Sequence, residues 1–316
     1  MTRIALFGDL GTVTAGREYD GLLRAFEHFG HPCLPIDVRA ADWSFEQTEA
    51  ELADFGASLW WVRAKEGLVF LTWYCQRHPK PETVVYHFVD LRAPEGVDSD
   101  WPIKRPVINP ESVHGLIDVL FLVNTAQLSE YQLAYQIPSA YFLPQFYVPD
   151  VLHPLDIPKT VDVGFVGGMS HPLHKRRTEV LLRLQDYLGS TMQIVQSGCY
   201  GSDLAEFYSQ CKIVIGMCAT NQVAHYSSDR MVYALGCGAF YLAEYFAGFY
   251  DLMPQGTAVA WLDFAHLVEQ VRFWLVNNEL RETVARRGHN LALEQYTHIA
   301  VIGRAFELLR GEHTNA

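Results

Sequence analysis

The chain has 316 residues, 49% apolar and 19% charged, with a formal charge of −12 at neutral pH. That length exceeds one ordinary hydrophobic core and predicts two domains of about 150 residues. The acidic balance argues against a surface that grasps nucleic acid along its backbone, six scattered cysteines without a C-x-x-C pair argue against a zinc site or disulfide framework, and no apolar run reaches the roughly 18–20 residues of a membrane span.

The N-terminus runs straight into a strand-like segment without a signal-peptide pattern, so a cytoplasmic location is expected. Arg3–Gly8 (RIALFG) reads as a buried strand followed by a glycine-punctuated loop. Tyr19–Phe29 carries Leu22, Leu23, Phe26 and Phe29 at helical spacing and stops at Gly30. Strand-like pieces follow at Cys33–Asp37, Ser58–Val62, Val84–Val89, His114–Val123 and Ala140–Leu143. Each is short and apolar on both sides, as in a parallel sheet covered by helices on both faces. Prolines at 138, 144, 149, 154 and 158 then break all periodicity and predict a semi-rigid connector.

Beyond the connector the alternation restarts. Val161–Val166 reads as a strand, Gly167-Gly168 as a turn, Lys175–Leu188 as a helix, Met192–Val195 as a strand, Ser202–Gln210 as a helix and Lys212–Met217 as a strand. Arg230–Tyr250 (RMVYALGCGAFYLAEYFAGFY) reads as a short buried helix, a Gly-Cys-Gly turn and a buried strand ending near Glu244. Ala258–Trp261 is a further strand, and Phe264–Val276 and Glu279–Gln295 are helices. The organisation expected is a domain over 1–150, a second over 151–298, and a tail over 299–316 whose helix, Ile299–Leu309, leans back across the boundary. Its fold class is α/β, two Rossmann-like doubly wound domains facing across a cleft.

The features that carry chemistry cluster in the second half. Ser227, Ser228 or Asp229 suits the N-cap of the Arg230 helix, leaving amide donors and the positive dipole end for an anion. Arg230 adds a planar fork of donors matched to phosphate oxygens. The plainer alternative is a buried βα unit in which Arg230 pairs with a nearby acid. Gly167 and Gly168, directly after a strand, allow close approach of the backbone to a ligand or simply make a tight turn. His174, Lys175, Arg176 and Arg177 either neutralise a pyrophosphate or form the solvated face of a helix. The charge is distributed accordingly: residues 1–150 hold eleven Lys and Arg against twenty Asp and Glu, the remainder thirteen against sixteen. One small anion in the second half suits this better than a polyanion along the whole molecule.

The ordered blocks strand-Gly-Gly, YSQCKIVIGM, SSDRMVYALGCGAFYLAEYFAGFYDLMPQG and the tail VAWLDFAHLVEQVRFWLVNNELRETVARRGHNLALEQYTH resemble the C-terminal domain of GT-B glycosyltransferases. They are most similar to the CgeB-like group among family 1-type relatives. The resemblance covers about Val161–His298. It implies a nucleotide-diphosphate sugar as donor, bound by the second domain, and an acceptor held by the first. By position, Gly167 and Gly168 would border the donor phosphates, Arg230 would contact the diphosphate with Arg177 nearby, Ser228 and Asp229 would sit at the helix start, and Glu244 would lie near ribose or sugar. Where relatives carry an acid three residues after this arginine, this chain has Tyr233. No Asp-x-Asp motif is present, so no metal and no separate cofactor are expected. For the base that takes the acceptor proton, Asp90 and Asp9, each at a strand end, are the candidates; His87, Glu18 and His114 rank below them. The implied acceptor is a glycan, a metabolite, a protein side chain or a hydroxymethylated DNA base, and the alternative is a non-catalytic nucleotide-sugar-binding protein.

Overall fold

The computed structural model describes residues 1–10, 18–88, 110–170, 174–196 and 198–311. The described residues fall into two compact units, the first made of residues up to 144 together with 301–311, the second of residues 145–300.

In the first unit, strands β1 (Ile4–Gly8), β2 (Cys33–Asp37), β3 (Leu59–Val62), β4 (Thr83–Phe88), β5 (Val119–Leu122) and β6 (Ser139–Phe142) form one sheet in the order β2-β1-β3-β4-β5-β6. Every neighbouring pair is parallel, with Ile4 opposite both Cys33 and Leu59. Parallel strands need crossovers, and helices α1 (Glu18–His28), α2 (Phe45–Phe55), α3 (Lys65–Cys75) and α4 (Leu128–Tyr135) occupy this unit. Ser44 caps α2 by accepting from the Gln47 amide, and Gly56, at φ 64°, ends it. The strand expected over 114–123 is confined to Val119–Leu122. Gly115, at φ 71°, turns the chain ahead of it, a conformation no strand accommodates.

In the second unit, β7 (Val161–Val166), β8 (Met192–Val195), β9 (Cys211–Gly216), β10 (Tyr241–Glu244) and β11 (Val259–Trp261) form a parallel sheet in the order β11-β10-β9-β7-β8. Its helices are α5 (Lys175–Leu188), α6 (Gly201–Gln210), α7 (Arg230–Gly236), α8 (Phe249–Leu252), α9 (Phe264–Val276) and α10 (Asn278–Gln295). The last helix, α11 (His298–Arg310), starts in this unit and from residue 301 belongs to the first, where Phe306 meets the rings of Phe26, Phe29 and Trp61.

The strand order of the second unit fixes where a ligand can sit. The chain steps outward from β7 to β8, then back past β7 to β9 and on to β10. Right-handed crossovers therefore put α5 on one face and α6 and α7 on the other. The side chains agree. A Cβ at Gly164 would press on Phe207 of α6, whereas Phe165 packs with Leu181 and Leu184 of α5 and Leu267 and Val271 of α9. The direction reverses between β7 and β9, and sheets of this kind bind ligands at the carboxyl edge of such a reversal.

Candidate functional site

Two arginines reach that edge from opposite faces. Arg177 comes from the first turn of α5 and Arg230 from the first residue of α7. Both are buried, at 5% and 6% exposure. Arg230 donates from Nε to the Val166 carbonyl at 2.6 Å, and from Nη1 to the Met217 carbonyl at 3.1 Å and to Ser228 Oγ at 2.9 Å. Arg177 donates from Nη1 to the same Met217 carbonyl at 3.4 Å and from Nη2 to the Gly168 carbonyl. Both guanidiniums also lie over the Phe165 ring, with Cζ 4.5 Å from its centroid for Arg230 and 5.6 Å for Arg177.

The backbone makes room for them. Gly167 sits at φ 150°, with its amide donating to the Val195 carbonyl of β8 at 2.9 Å. A Cβ at Gly167 would overlap Arg230 Nη2. Only glycine lets the chain turn off β7 against that guanidinium.

The electrostatics are unusual for a buried pair. Neither guanidinium forms an ion pair among the described residues; their partners are carbonyls, a hydroxyl and an aromatic face. Arg177 Nε is buried without a hydrogen-bond partner. Burial, and then the neighbouring charge of Arg230, push Arg177 down to about 10. Two cations held together in a poorly solvated place, with the Asp229 charge nearby but in no ion pair with either among the described residues, favour an anion that supplies further negative charge.

A pocket of about 100 Å³ adjoins Arg230 on the α6/α7 side, bounded by Gly167, Tyr200, Leu204, Tyr208 and Tyr233. Asp229 also lines it. Asp229 occupies the N-cap position of α7 in helical geometry (φ −48°, ψ −28°) and makes no side-chain cap. The Met231 amide donates to the Ser228 carbonyl at 3.1 Å. The expected cap from Asp229 is thus not formed, one amide of the first turn is taken by the Ser228 carbonyl, and the guanidinium of Arg230 lies beside this helix start. Ser227 is buried, and Ser228 serves as a prop for Arg230.

Glu244 ends β10, 5% exposed, with both carboxylate oxygens taken by the guanidinium of Arg176. The bond to Glu244 raises the pKa of Arg176, whose side chain is 60% exposed. Glu244 and Arg176 thus form a pair of their own, separate from the network of Gly167, Gly168, Arg177, Ser228 and Arg230.

In the first unit, Asp9 follows β1 and accepts from Arg39 Nη1 at 2.7 Å, while its amide donates to the Tyr19 hydroxyl at 3.1 Å. Asp90 lies outside the described residues. His87 is a core residue: burial, and then the charge of Arg63, hold its pKa well below the usual imidazole value, and Trp61 Nε1 donates to its Nδ1 at 3.3 Å. Glu18 accepts from buried Arg63 at 2.6 Å, and His114 contacts the Ala134 carbonyl at 3.1 Å. The Phe165 ring, the Met217 carbonyl and the Tyr200 pocket were not foreseeable as site components. Carbonyls leave no mark on side-chain sequence, and aromatic residues abound in this chain. Among the described residues no group of three or more His, Cys, Asp or Glu forms a metal cage, and no helix is long and apolar enough to cross a membrane.

Residues 178–306 match the family model described as glycosyl transferase-like. The chain is similar in structure to sucrose-phosphate synthase from Thermosynechococcus elongatus, with a TM-score of 0.66 at 13% identity, covering 99% of this chain and 100% of that one. The Anabaena protein HepE, solved in complex with UDP and glucose, gives 0.65 at 12% identity, with 98% and 100% covered. The DNA-modifying enzyme β-glucosyltransferase gives 0.66 at 13% identity, with 97% and 99% covered. This is a GT-B glycosyltransferase fold. No curated protein sequence matches the chain. Most of the glycosyl transferase-like match, residues 178–300, lies in the second unit, and the paired arginines stand at the carboxyl edge of its sheet.

Proposed function

We propose that the protein is a glycosyltransferase that takes a sugar from a nucleotide-diphosphate sugar and delivers it to a hydroxyl acceptor. The observation that carries this reading is the pair of buried guanidiniums, Arg177 and Arg230, converging on Met217 and Phe165 with no ion pair to either among the described residues. A diphosphate supplies the charge that pair lacks. Hydrogen bonds to charged groups contribute about 1.5–3 kcal/mol each, and planar guanidinium forks suit phosphate oxygens. The GT-B fold, and the UDP seen in the HepE complex, support the same ligand class.

The reaction follows from that arrangement. The acceptor oxygen bonds to the anomeric carbon as the bond from that carbon to the β-phosphate oxygen breaks. Charge builds on the leaving diphosphate, where Arg177 and Arg230 stabilise it most when it is fully developed. Gly167 and Gly168 border the phosphates, with Ser228 holding Arg230 and Asp229 beside it. Glu244 acts on the donor's ribose or sugar only if Arg176 releases it. The acceptor proton passes to a carboxylate of the first unit, Asp90 or Asp9. In this scheme the guanidiniums take the part of a divalent ion, so transfer proceeds without metal and without a separate cofactor, in the cytoplasm. A hexose or pentose is moved to a glycan, metabolite, protein or hydroxymethylated base. A non-catalytic nucleotide-sugar-binding role is the alternative that Tyr233 favours, since it puts a phenol where relatives carry a carboxylate; a labelled acceptor product excludes it.

Thermal unfolding with UDP, TDP, ADP and GDP tests the donor site, because a ligand at a hundred times its Kd stabilises by about 2.7 kcal/mol. At least one diphosphate should raise the Tm of the wild type and leave Arg230→Ala unmoved. No shift with any of them at millimolar concentration refutes the reading, and a shift that survives Arg230→Ala removes that residue from the site.

A further inference from the structure

The first unit holds a buried guanidinium of its own, and what that guanidinium lacks points to the chemistry of the acceptor; the inference rests on the glycosyltransferase reading above. The chain steps from β1 out to β2 and back past β1 to β3, so this sheet too reverses direction, between β1 and β3. Arg63 is the first residue beyond β3 and donates its amide to the Phe7 carbonyl of β1 at 2.9 Å, at the carboxyl edge of that reversal. Alternation along β3 puts Arg63 on the same face as Trp61, whose ring packs on Phe26 of α1. The guanidinium lies beside the first turn of α1, with Cζ 5.1 Å from the ring centroid of Tyr19. Tyr19 in turn lies against Gly8, where a Cβ would overlap its ring, and its hydroxyl accepts from the Asp9 amide at 3.1 Å.

Arg63 is short of acceptors. Its side chain is 2% exposed, and a single carboxylate oxygen of Glu18 meets Nη2 at 2.6 Å. Nε and Nη1, which carry more than half of the guanidinium's N–H bonds, are buried without a hydrogen-bond partner among the described residues. Arg39, at the same edge, is the contrast: its side chain is 51% exposed, and it has Asp9 at 2.7 Å and Glu66 at 3.5 Å. An exposed cation with two acids needs nothing further, whereas a buried one with empty donors does. Nor does Glu18 silence the charge of Arg63, which, after burial, is what holds His87 low.

We infer that the acceptor carries a carboxylate or phosphate group and that Arg63 receives it through Nε and Nη1, beside the oxygen that Glu18 already supplies. Guanidinium forks suit the several oxygens of such a group, and a hydrogen bond to a charged oxygen is stronger than one to the hydroxyl of a neutral sugar. The Glu18 side chain is 22% exposed, so it turns to water as the oxyanion enters, an exit closed to Arg63. The ring of Tyr19 lies between this group and Asp9, one of the two proposed bases. Arg63 thus selects the acceptor and takes no part in the proton transfer.

Isothermal titration of the full chain with inorganic phosphate, the minimal probe, tests this. The wild type should show a binding event that Arg63→Met loses and Arg230→Ala keeps. Glu18→Gln, which removes a competing negative charge, should tighten that event by about fivefold or more; an ion pair that only holds α1 in place would show no such gain. Glucose 6-phosphate and glucuronate should displace the phosphate at least about tenfold more effectively than glucose. Should Arg63→Met fail to fold, Glu18→Gln decides. Absence of phosphate binding in Arg230→Ala, binding that survives Arg63→Met, or binding that Glu18→Gln leaves unchanged or weakens overturns the inference. Phosphate that neither anionic sugar displaces assigns the site to a free anion and overturns the acceptor class. No nucleotide enters these measurements, so failure of every nucleoside diphosphate to bind refutes the donor site while the anion event at Arg63 is read separately.

Discussion

If Arg177 is kept for an absent anion, the protein should be more stable without it. Burial and the charge of Arg230 lower Arg177 from its ordinary value to about 10. At about 1.4 kcal/mol per pH unit this corresponds to a cost on the order of 3 kcal/mol for keeping the guanidinium charged in the native state. For a cation with a depressed folded value, that cost is present in full below about pH 10 and fades only as pH rises beyond it. At neutral pH it is therefore complete. Against it stand the bonds to the Gly168 and Met217 carbonyls. Gly168 is exposed and recovers water, and Met217 keeps Arg230, so their loss costs about 1 kcal/mol. Arg177→Met, unbranched and neutral, should then stabilise the unliganded protein by about 1–2 kcal/mol and raise Tm by a few degrees. Arg177→Lys, which keeps the charge, should not. Scanning fluorimetry with and without UDP reads both effects, and in Arg177→Met the UDP-induced shift should collapse while the starting Tm rises. Stability surrendered for function is the expected signature of a binding site. A fall in unliganded Tm with an intact UDP response would refute the electrostatic argument.

Other substitutions separate the remaining roles. Gly167→Ala places a Cβ onto Arg230 Nη2 at a φ of 150°; it should cost about 1–3 kcal/mol by urea unfolding and abolish UDP binding, whereas a fully bound variant would show that the guanidinium yields without consequence. Arg176→Ala leaves the 5%-exposed Glu244 carboxylate without its cation; discounted for the exposure of Arg176, the expected loss is about 1–2 kcal/mol, and Arg176→Ala/Glu244→Gln should recover most of it in a double-mutant cycle. Asp9→Asn and Asp90→Asn, assayed on labelled donor and acceptor, should leave UDP affinity unchanged, and the one that supplies the base should lower kcat by about a hundredfold or more; equal, small effects from both would place the base elsewhere.

What the sequence made legible follows from what each signal encodes. Short runs apolar on both sides mark β1, β4 and β9 because parallel strands are covered on both faces. The same rule hid α3: KEGLVFLTWYC is apolar nearly all the way round, so its helical period carries no contrast. Segment 114–123 misled because its apolar residues continue through a glycine turn into β5. At the site, Gly167, Gly168 and Arg230 stood out because a Gly-Gly pair after a strand and an arginine at a helix start are particular solutions, the first to a positive φ at Gly167 and the second to a planar cation. Arg177 was only one of a basic cluster, and its separation from Arg176 depends on facts no local pattern contains. Consecutive helical residues diverge by about 100°, so Arg177 turns under the sheet edge to Met217, 40 residues away, while Arg176 turns out to Glu244, 68 residues away. Which guanidinium found an acid was decided by that divergence together with the pleat of β10, whose last residue presents its carboxylate to the α5 face. A cation left without an acid is thus a property of pairing rather than of composition, and it becomes visible only when strand order has brought both ends of the pair to one edge.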